Sequence, residues 1–191
     1  MNPENFISFD IETNGPCPSI HSMLSLGAAL FTGTDETAKE TFYAKLEPLP
    51  WTIEDVETMK WWAKFPVEYA ETKKDAKSAS VVIPAFAKWL TDIKDKHGPY
   101  VLYAAPSGFD FSFLYYYFHR FLGTSPVKRT CMDGNSYAAG LTRSPMRGIP
   151  LRKLIGKVSY GTRHNAVDDA IRQGIKLMKL RQALLTDRST W

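Results

Sequence analysis

Apolar residues dominate positions 5–12, Asn-Phe-Ile-Ser-Phe-Asp-Ile-Glu, just ahead of a turn at Asn14-Gly15-Pro16-Cys17-Pro18. So short a run before such a turn predicts a buried strand. Residues 22–31 predict a second strand, Gly33-Thr34-Asp35 a turn, and the alternation over 41–47 a third strand. Three strands joined by short turns predict an antiparallel meander. The period then lengthens. Residues 53–64 and 67–73 predict short helices separated by Pro66. Val82, Phe86, Trp89, Leu90 and Ile93 mark the buried stripe of a helix over 81–96. Residues 100–105 predict a fourth strand, 109–121 an aromatic-rich helix, and 130–133 a short fifth strand. Pro145, Gly148 and Pro150 make 142–150 a loop. A last helix is predicted over about 166–185, with Val167, Ala170, Ile171, Leu177, Met178, Leu184 and Leu185 on one side. The order βββ–α–β–α–β–α predicts an α/β fold, a mixed sheet with helices on its faces. Neither an internal repeat nor a linker interrupts it, so residues 1–191 are expected to form one domain.

Composition narrows the class. Of 191 residues, 44% are hydrophobic, 13% aromatic and 23% charged, which fits an ordinary globular core and excludes intrinsic disorder. An apolar run long enough to cross a membrane is lacking, and the polar start has no basic leader, so no membrane partner and a cytoplasmic location are expected. Two distant cysteines, Cys17 and Cys131, exclude a disulfide framework or a zinc finger. The net charge of +4 is unevenly spread. Residues 1–99 carry 10 basic against 15 acidic side chains, and residues 100–191 carry 14 against 5. A basic half points to an anionic partner such as nucleic acid, or else to a solvated face on the last helix.

Three carboxylate motifs carry the candidate chemistry. Asp10-Ile11-Glu12 ends the first strand, where residues i and i+2 share a face roughly 7 Å apart. Two acids so placed repel unless a cation lies between them, and oxygen-only ligands suit Mg²⁺ or Mn²⁺. Asp55-Val56-Glu57 has the same pattern, but there it reads as the polar face of a helix. Asp110 sits between Phe109 and Phe111 at the opening of a helix. The helix dipole accounts for its charge, though not for its aromatic neighbours. The third motif is His164-Asn165-Ala166-Val167-Asp168-Asp169-Ala170. Asn165 is an expected N-cap with Asp168 at N3, which leaves Asp169 without a structural role. For His164 to share a site with Asp169, it must lie on the loop before the helix.

These motifs, in this order and setting, resemble the DEDDh family of 3′→5′ exonucleases over about residues 5–180. The resemblance implies a ribonuclease-H-like fold, a mixed five-stranded sheet flanked by helices. It implies that Asp10, Glu12, Asp110 and Asp169 bind two Mg²⁺ or Mn²⁺ ions and that His164 is the general base. Asn165 occupies the position where the sister group carries Tyr, so that group does not fit. Two departures stand out. Ala104-Ala105-Pro106-Ser107-Gly108 replaces a stretch in which many relatives carry Asn, and Glu57-Thr58-Met59-Lys60-Trp61-Trp62 looks like a segment of some exoribonuclease-like relatives.

The implied activity is metal-dependent hydrolysis from the 3′ end of single-stranded DNA or RNA, releasing 5′-mononucleotides. Thr13 is a candidate for the terminal 3′-hydroxyl. Trp61, Trp62 and Phe109 are candidate stacking surfaces, with core packing as the alternative, the stronger one for Phe109 and for one of the two Trp residues. Arg163, Lys157, Arg152 and Lys153 are candidates for phosphate contact or an exposed basic rim. Several members of the family are dimers, so a homodimer is compatible with the resemblance. The rival readings are a proofreading-type DNA enzyme rather than an RNA trimmer, a catalytically silent nucleic-acid-binding module, and a phosphoesterase acting on small monoesters.

Overall fold

The computed structural model describes residues 4–142 and 155–186. Its first five elements are β1 (Asn5–Thr13), β2 (Met23–Thr32), β3 (Glu40–Lys45), α1 (Val56–Trp62) and α2 (Pro66–Lys73). Then come α3 (Ala79–His97), β4 (Tyr100–Ala104), α4 (Ser107–Leu122), β5 (Met132–Asp133), α5 (Gly134–Thr142) and α6 (Ala166–Thr186). The strands lie in the order β3-β2-β1-β4-β5. The β1-β2 and β2-β3 pairs are antiparallel, as the meander predicted, while β4 runs parallel to β1 and β5 parallel to β4. The expected mixed five-stranded sheet is therefore present.

Alternation along β1 divides the molecule into two layers. Ile7, Phe9 and Ile11 point into the larger core, where they meet Phe86 and Ile93 of α3 and Phe113 and Tyr117 of α4. Each such buried side chain contributes about 1.5–3 kcal/mol. Phe6 points to the other face and packs with Phe31, Tyr103, Leu177 and Met178 beneath α6. Asp10 and Glu12 belong to this second face by the two-residue period.

Local signals set the helix ends. Asp55 caps α1, accepting from Thr58 N at 2.8 Å, so this second D-x-E is structural. Pro66 opens α2 at a position that needs no N–H. Gly123 ends α4 with φ 72°, a left-handed cap that glycine adopts without steric cost. Two elements differ from expectation. Helix α4 begins at Ser107 rather than 109, and α5 was not anticipated. Its start is fixed by Asp133, whose Oδ1 accepts from Ser136 N at 2.7 Å. The expected loop over 142–150 falls almost wholly outside the described residues, as do Arg152 and Lys153. No helix among the described residues is long and apolar enough to cross a membrane.

Candidate active site

The C-terminal end of β1 is where the three motifs meet. Asp10 lies opposite Gly27 and Glu12 opposite Ser25 in the β1-β2 pairing, and the register shifts after Glu12. Gly27 allows α6 to touch the sheet. A Cβ there would come within 2.1–2.4 Å of the backbone of Ala166 and Val167. The close approach that glycine allows brings the first turn of α6, with Asp169, over the end of β1. Asp110 arrives from the other side, in the first turn of α4, and its Oδ1 accepts from Ile11 N at 3.1 Å.

His164 lies before α6, as the spacing required, with φ 60°. Its backbone N–H donates to Asp169 Oδ2 at 2.8 Å. One ligand atom each from Glu12, His164 and Asp169 lie within 4.8 Å of one another. Aromatic rings hold the imidazole in place: Phe65 at 4.2 Å, Trp61 at 4.7 Å and Trp62 at 6.4 Å between centroids. Burial, then the charge of Arg163, lowers the pKa of His164, which favours the neutral base.

The carboxylates shift the opposite way. Burial raises Glu12 to about 8, with the Asp110 charge adding to it. Burial raises Asp110 to about 7, opposed by the Ile11 N–H. Asp10 is raised well above the usual carboxylate range by burial and by the charges of Asp110 and Glu12. Three acids that resist ionising together form a site short of positive charge.

Two residues without a role in the sequence motifs offset part of this, Gln173 by a hydrogen bond and Arg172 by its charge. Gln173 donates from Nε2 to Asp10 Oδ1 at 2.6 Å and accepts from Ala105 N at 2.9 Å. Arg172 pairs with Asp169 and also reaches the preceding loop. Its Nε and Nη2 donate to Tyr160 O at 3.2 and 2.7 Å, and Nη2 donates to Thr162 O at 3.1 Å. Both lie on the motif's own helix, three and four positions after Asp169, on the face that spacing shares. That spacing was the available signal.

Asn165 takes the expected N-cap role, while the Asp168 carboxylate reaches the preceding loop instead of the cap. Asp168 N donates to Asn165 Oδ1 at 3.3 Å, and Asp168 Oδ2 accepts from Thr162 N at 2.7 Å. Beside Glu12 lies a cleft of about 210 Å³ lined by Thr13, Gly15, Thr58, Trp61 and Phe109, among others. Thr13 and Phe109 therefore border the site, though Phe109 also packs against the larger core. Trp61 is half-buried and borders the cleft. Trp62 is withdrawn as a stacking surface: it is 1% exposed, and its indole N–H donates to Thr13 O at 2.9 Å. It packs beneath the site because α1 turns its buried side inward. Arg163 is exposed on the loop beside His164.

Comparison with known proteins gives a consistent picture. The Rv2179c-like 3′-5′ exoribonuclease domain matches residues 5–179. The 3′-5′ DNA exonuclease Cap18 of Escherichia coli is 30% identical over 173 residues, covering 87% of this chain and 86% of its own. The nuclease domain of 3′hExo, a DEDDh family member solved with rAMP, superposes with a TM-score of 0.68 at 16% identity, covering 97% of this chain and 94% of that one. Pop2p of S. pombe, in a form with Mg²⁺ and Mn²⁺ bound, superposes at 0.64 with 13% identity, covering 93% and 82%. Those two structures share the ribonuclease-H-like fold. With a match spanning all five strands and most of the last helix, the chain belongs to the family of Rv2179c-like 3′-5′ exoribonuclease domains.

Proposed function

We propose that this 3′-5′ exonuclease removes 5′-mononucleotides one at a time from the 3′ end of single-stranded nucleic acid, at the site formed by Asp10, Glu12, Asp110, Asp169 and His164. The observation that carries the reading is convergence: acids from β1, α4 and α6 meet at one strand end beside a half-buried histidine. The donor set fits divalent cations, because buried carboxylates held above their usual pKa are stabilised by a cation at their centre. Asp10, Glu12, Asp110 and Asp169 would hold two Mg²⁺ or Mn²⁺ ions. Such a pair supplies Lewis-acid stabilisation of both the attacking and the leaving oxygen.

The chain's own residues supply the rest. His164, kept neutral by its surroundings, accepts the proton of the attacking water. The cleft beside Glu12 receives the terminal nucleoside. Trp61 and Phe109 border the base there, and Thr13, on the same wall, lies near the 3′-hydroxyl. Arg163 meets phosphate from the loop. The chain acts as one exonuclease domain.

The test uses 5′-labelled single-stranded DNA and RNA of matched sequence, with Mg²⁺, with Mn²⁺ and with chelator. A ladder shortening from the 3′ end, absent with chelator and absent in Asp10→Asn, is the expected result. The faster substrate decides between DNA and RNA, which the family description and the Cap18 relative leave open. Full activity in Asp10→Asn would reject the site. Binding without cleavage by folded wild-type protein would leave a nucleic-acid-binding module.

A further inference from the structure

A second depression, of about 260 Å³, lies at the edge strand β3 and is lined by Tyr43, Ala44, Lys45, Lys74, Asp75 and Lys77. Sheet register ties it to the acids. Tyr43 pairs with Gly27, which pairs with Asp10, and Lys45 pairs with Ser25, which pairs with Glu12. Directly paired residues share a face, so Tyr43 and Lys45 stand on the same face as Asp10 and Glu12. They lie two strand spacings away, about 10 Å, with the first turn of α6 resting on Gly27 between them, so a strand joining the two sites passes around that turn. Burial, then the charge of Glu71 ahead of those of Glu12 and Asp168, pushes the Tyr43 phenol up to about 12.

Lysines among the described residues fall into two groups, and Lys74 and Lys77 share with Lys64, Lys94 and Lys128 the lack of an ion pair. Lys39, Lys60, Lys88, Lys96 and Lys179 each pair with a carboxylate. Lys45 pairs with Glu71. Among the described residues, the ammonium groups of Lys74 and Lys77 have neither an ion pair nor a hydrogen bond, although both side chains are exposed. Their backbone is nonetheless fixed. Lys77 N donates to Lys45 O and Glu47 N donates to Lys77 O, each at 3.0 Å, which adds a short bridge beside β3. Lys77 is thus held on rigid backbone at a cleft that also holds the Tyr43 ring, and Lys74 lines the same cleft with its charge also felt by Glu71. Asp75 and Glu71 offset part of the charge, so the cleft has a modest positive excess rather than a strong anion trap.

We infer that this cleft is a subsite for the substrate strand, with Lys74 and Lys77 binding backbone phosphates upstream of the 3′-terminal nucleotide and Tyr43 offering a ring to a base. This rests on the exonuclease reading for the direction of the strand. Phosphate contacts by lysine give sequence-independent affinity that falls with salt. An aromatic face is equally tolerant of sequence.

The test is the double variant Lys74→Gln/Lys77→Gln, with circular dichroism and melting as the check that it folds. Binding of fluorescein-labelled 12-nucleotide single-stranded DNA and RNA is measured with chelator present, so that cleavage is absent. Turnover is measured separately with Mn²⁺, on the same 12-mers and on the p-nitrophenyl ester of thymidine monophosphate, which is too short to reach the cleft. The expected result is a several-fold weaker Kd, with the slope of log K against log salt shallower by about 1.4, two contacts' worth. KM for the 12-mers rises and kcat/KM for the ester stays within twofold. Unchanged Kd and salt slope overturn the proposal, as does an equal loss on the ester. Should the wild type cleave neither substrate, the exonuclease reading falls by that result alone, and the binding arm still decides the cleft.

Discussion

Arg172 ties the last helix to the loop before it. Its guanidinium meets Asp169 and two carbonyls of the loop that carries His164. A planar fork of donors suits that arrangement, and an ammonium group does not. Arg172→Lys is therefore expected to keep the charge and lose the clasp. If His164 is displaced by about 1 Å, kcat falls about 10- to 100-fold with KM little changed. In a His164→Ala background the same substitution adds nothing further, because it acts through the lost base. Steady-state kinetics on the two single variants and the double variant checks this, and additive losses would assign Arg172 another role. The four acids and His164 of the proposed site stand out in the sequence because each motif is short and its context local. Arg172 and Gln173 were not, because what they do depends on where residues 105 and 160–162 come to lie in space. Trp61 and Trp62 illustrate the same limit: adjacent letters take opposite fates, since one helix can bury only one of two neighbouring positions deeply.

At the scale of elements, the site depends on how closely α6 lies on β1 and β2. Gly27 and Gly174 permit that approach; a Cβ at Gly174 would come within 2.0 Å of the Phe31 ring. The two positions differ in what must give way. At Gly174 the obstacle is a side chain of the smaller core. At Gly27 it is the backbone of the helix itself, three residues or fewer from Asp169. Gly27→Ala is expected to destabilise the fold by about 1–3 kcal/mol, the usual cost of overpacking. It should also lower activity at temperatures where the variant is fully folded, since the first turn of α6 must move away from Asp10. Chemical denaturation together with turnover at low temperature separates the two effects. Normal turnover in the folded variant would show that the helix position is not limiting. The meander, the fourth strand and the last helix were readable from period and turn residues alone, whereas the parallel direction of the fourth strand comes from its pairing with β1. Helix α5 was not: its apolar positions, Tyr137, Ala138, Ala139 and Leu141, are too few and too crowded for a clear stripe. The opening turn of α4 was also missed, because Pro106-Ser107-Gly108 reads as a turn by composition.

For the molecule as a whole, the raised carboxyl groups link stability to pH and to metal. A group whose folded pKa lies above its unfolded value stabilises the fold fully below the unfolded value. That contribution is lost as pH rises through the folded one. Asp110 at about 7 and Glu12 at about 8 place the loss between roughly pH 5 and 9, and Asp10 adds to it in the same direction. The surface acids act oppositely. Asp35, Asp55 and Glu71 are lowered by hydrogen bonds from Lys39, Thr58 and Lys45, so their contribution disappears only as the solution becomes strongly acid. The metal-free protein should therefore melt highest near pH 5 and progressively lower toward pH 9. Added Mn²⁺ or Mg²⁺ should reverse the decline at pH 8, because ions that bind the folded acids stabilise by mass action. They should do little at pH 5, where protons compete for the same oxygens. Thermal melts across this range, with chelator and with each ion, test the point without any substrate. In Asp10→Asn the metal-free decline should flatten, since removing one acid relieves the repulsion felt by the others. A melting curve independent of pH in the wild type would mean that these carboxylates ionise freely, and the cation site would lose its physical basis.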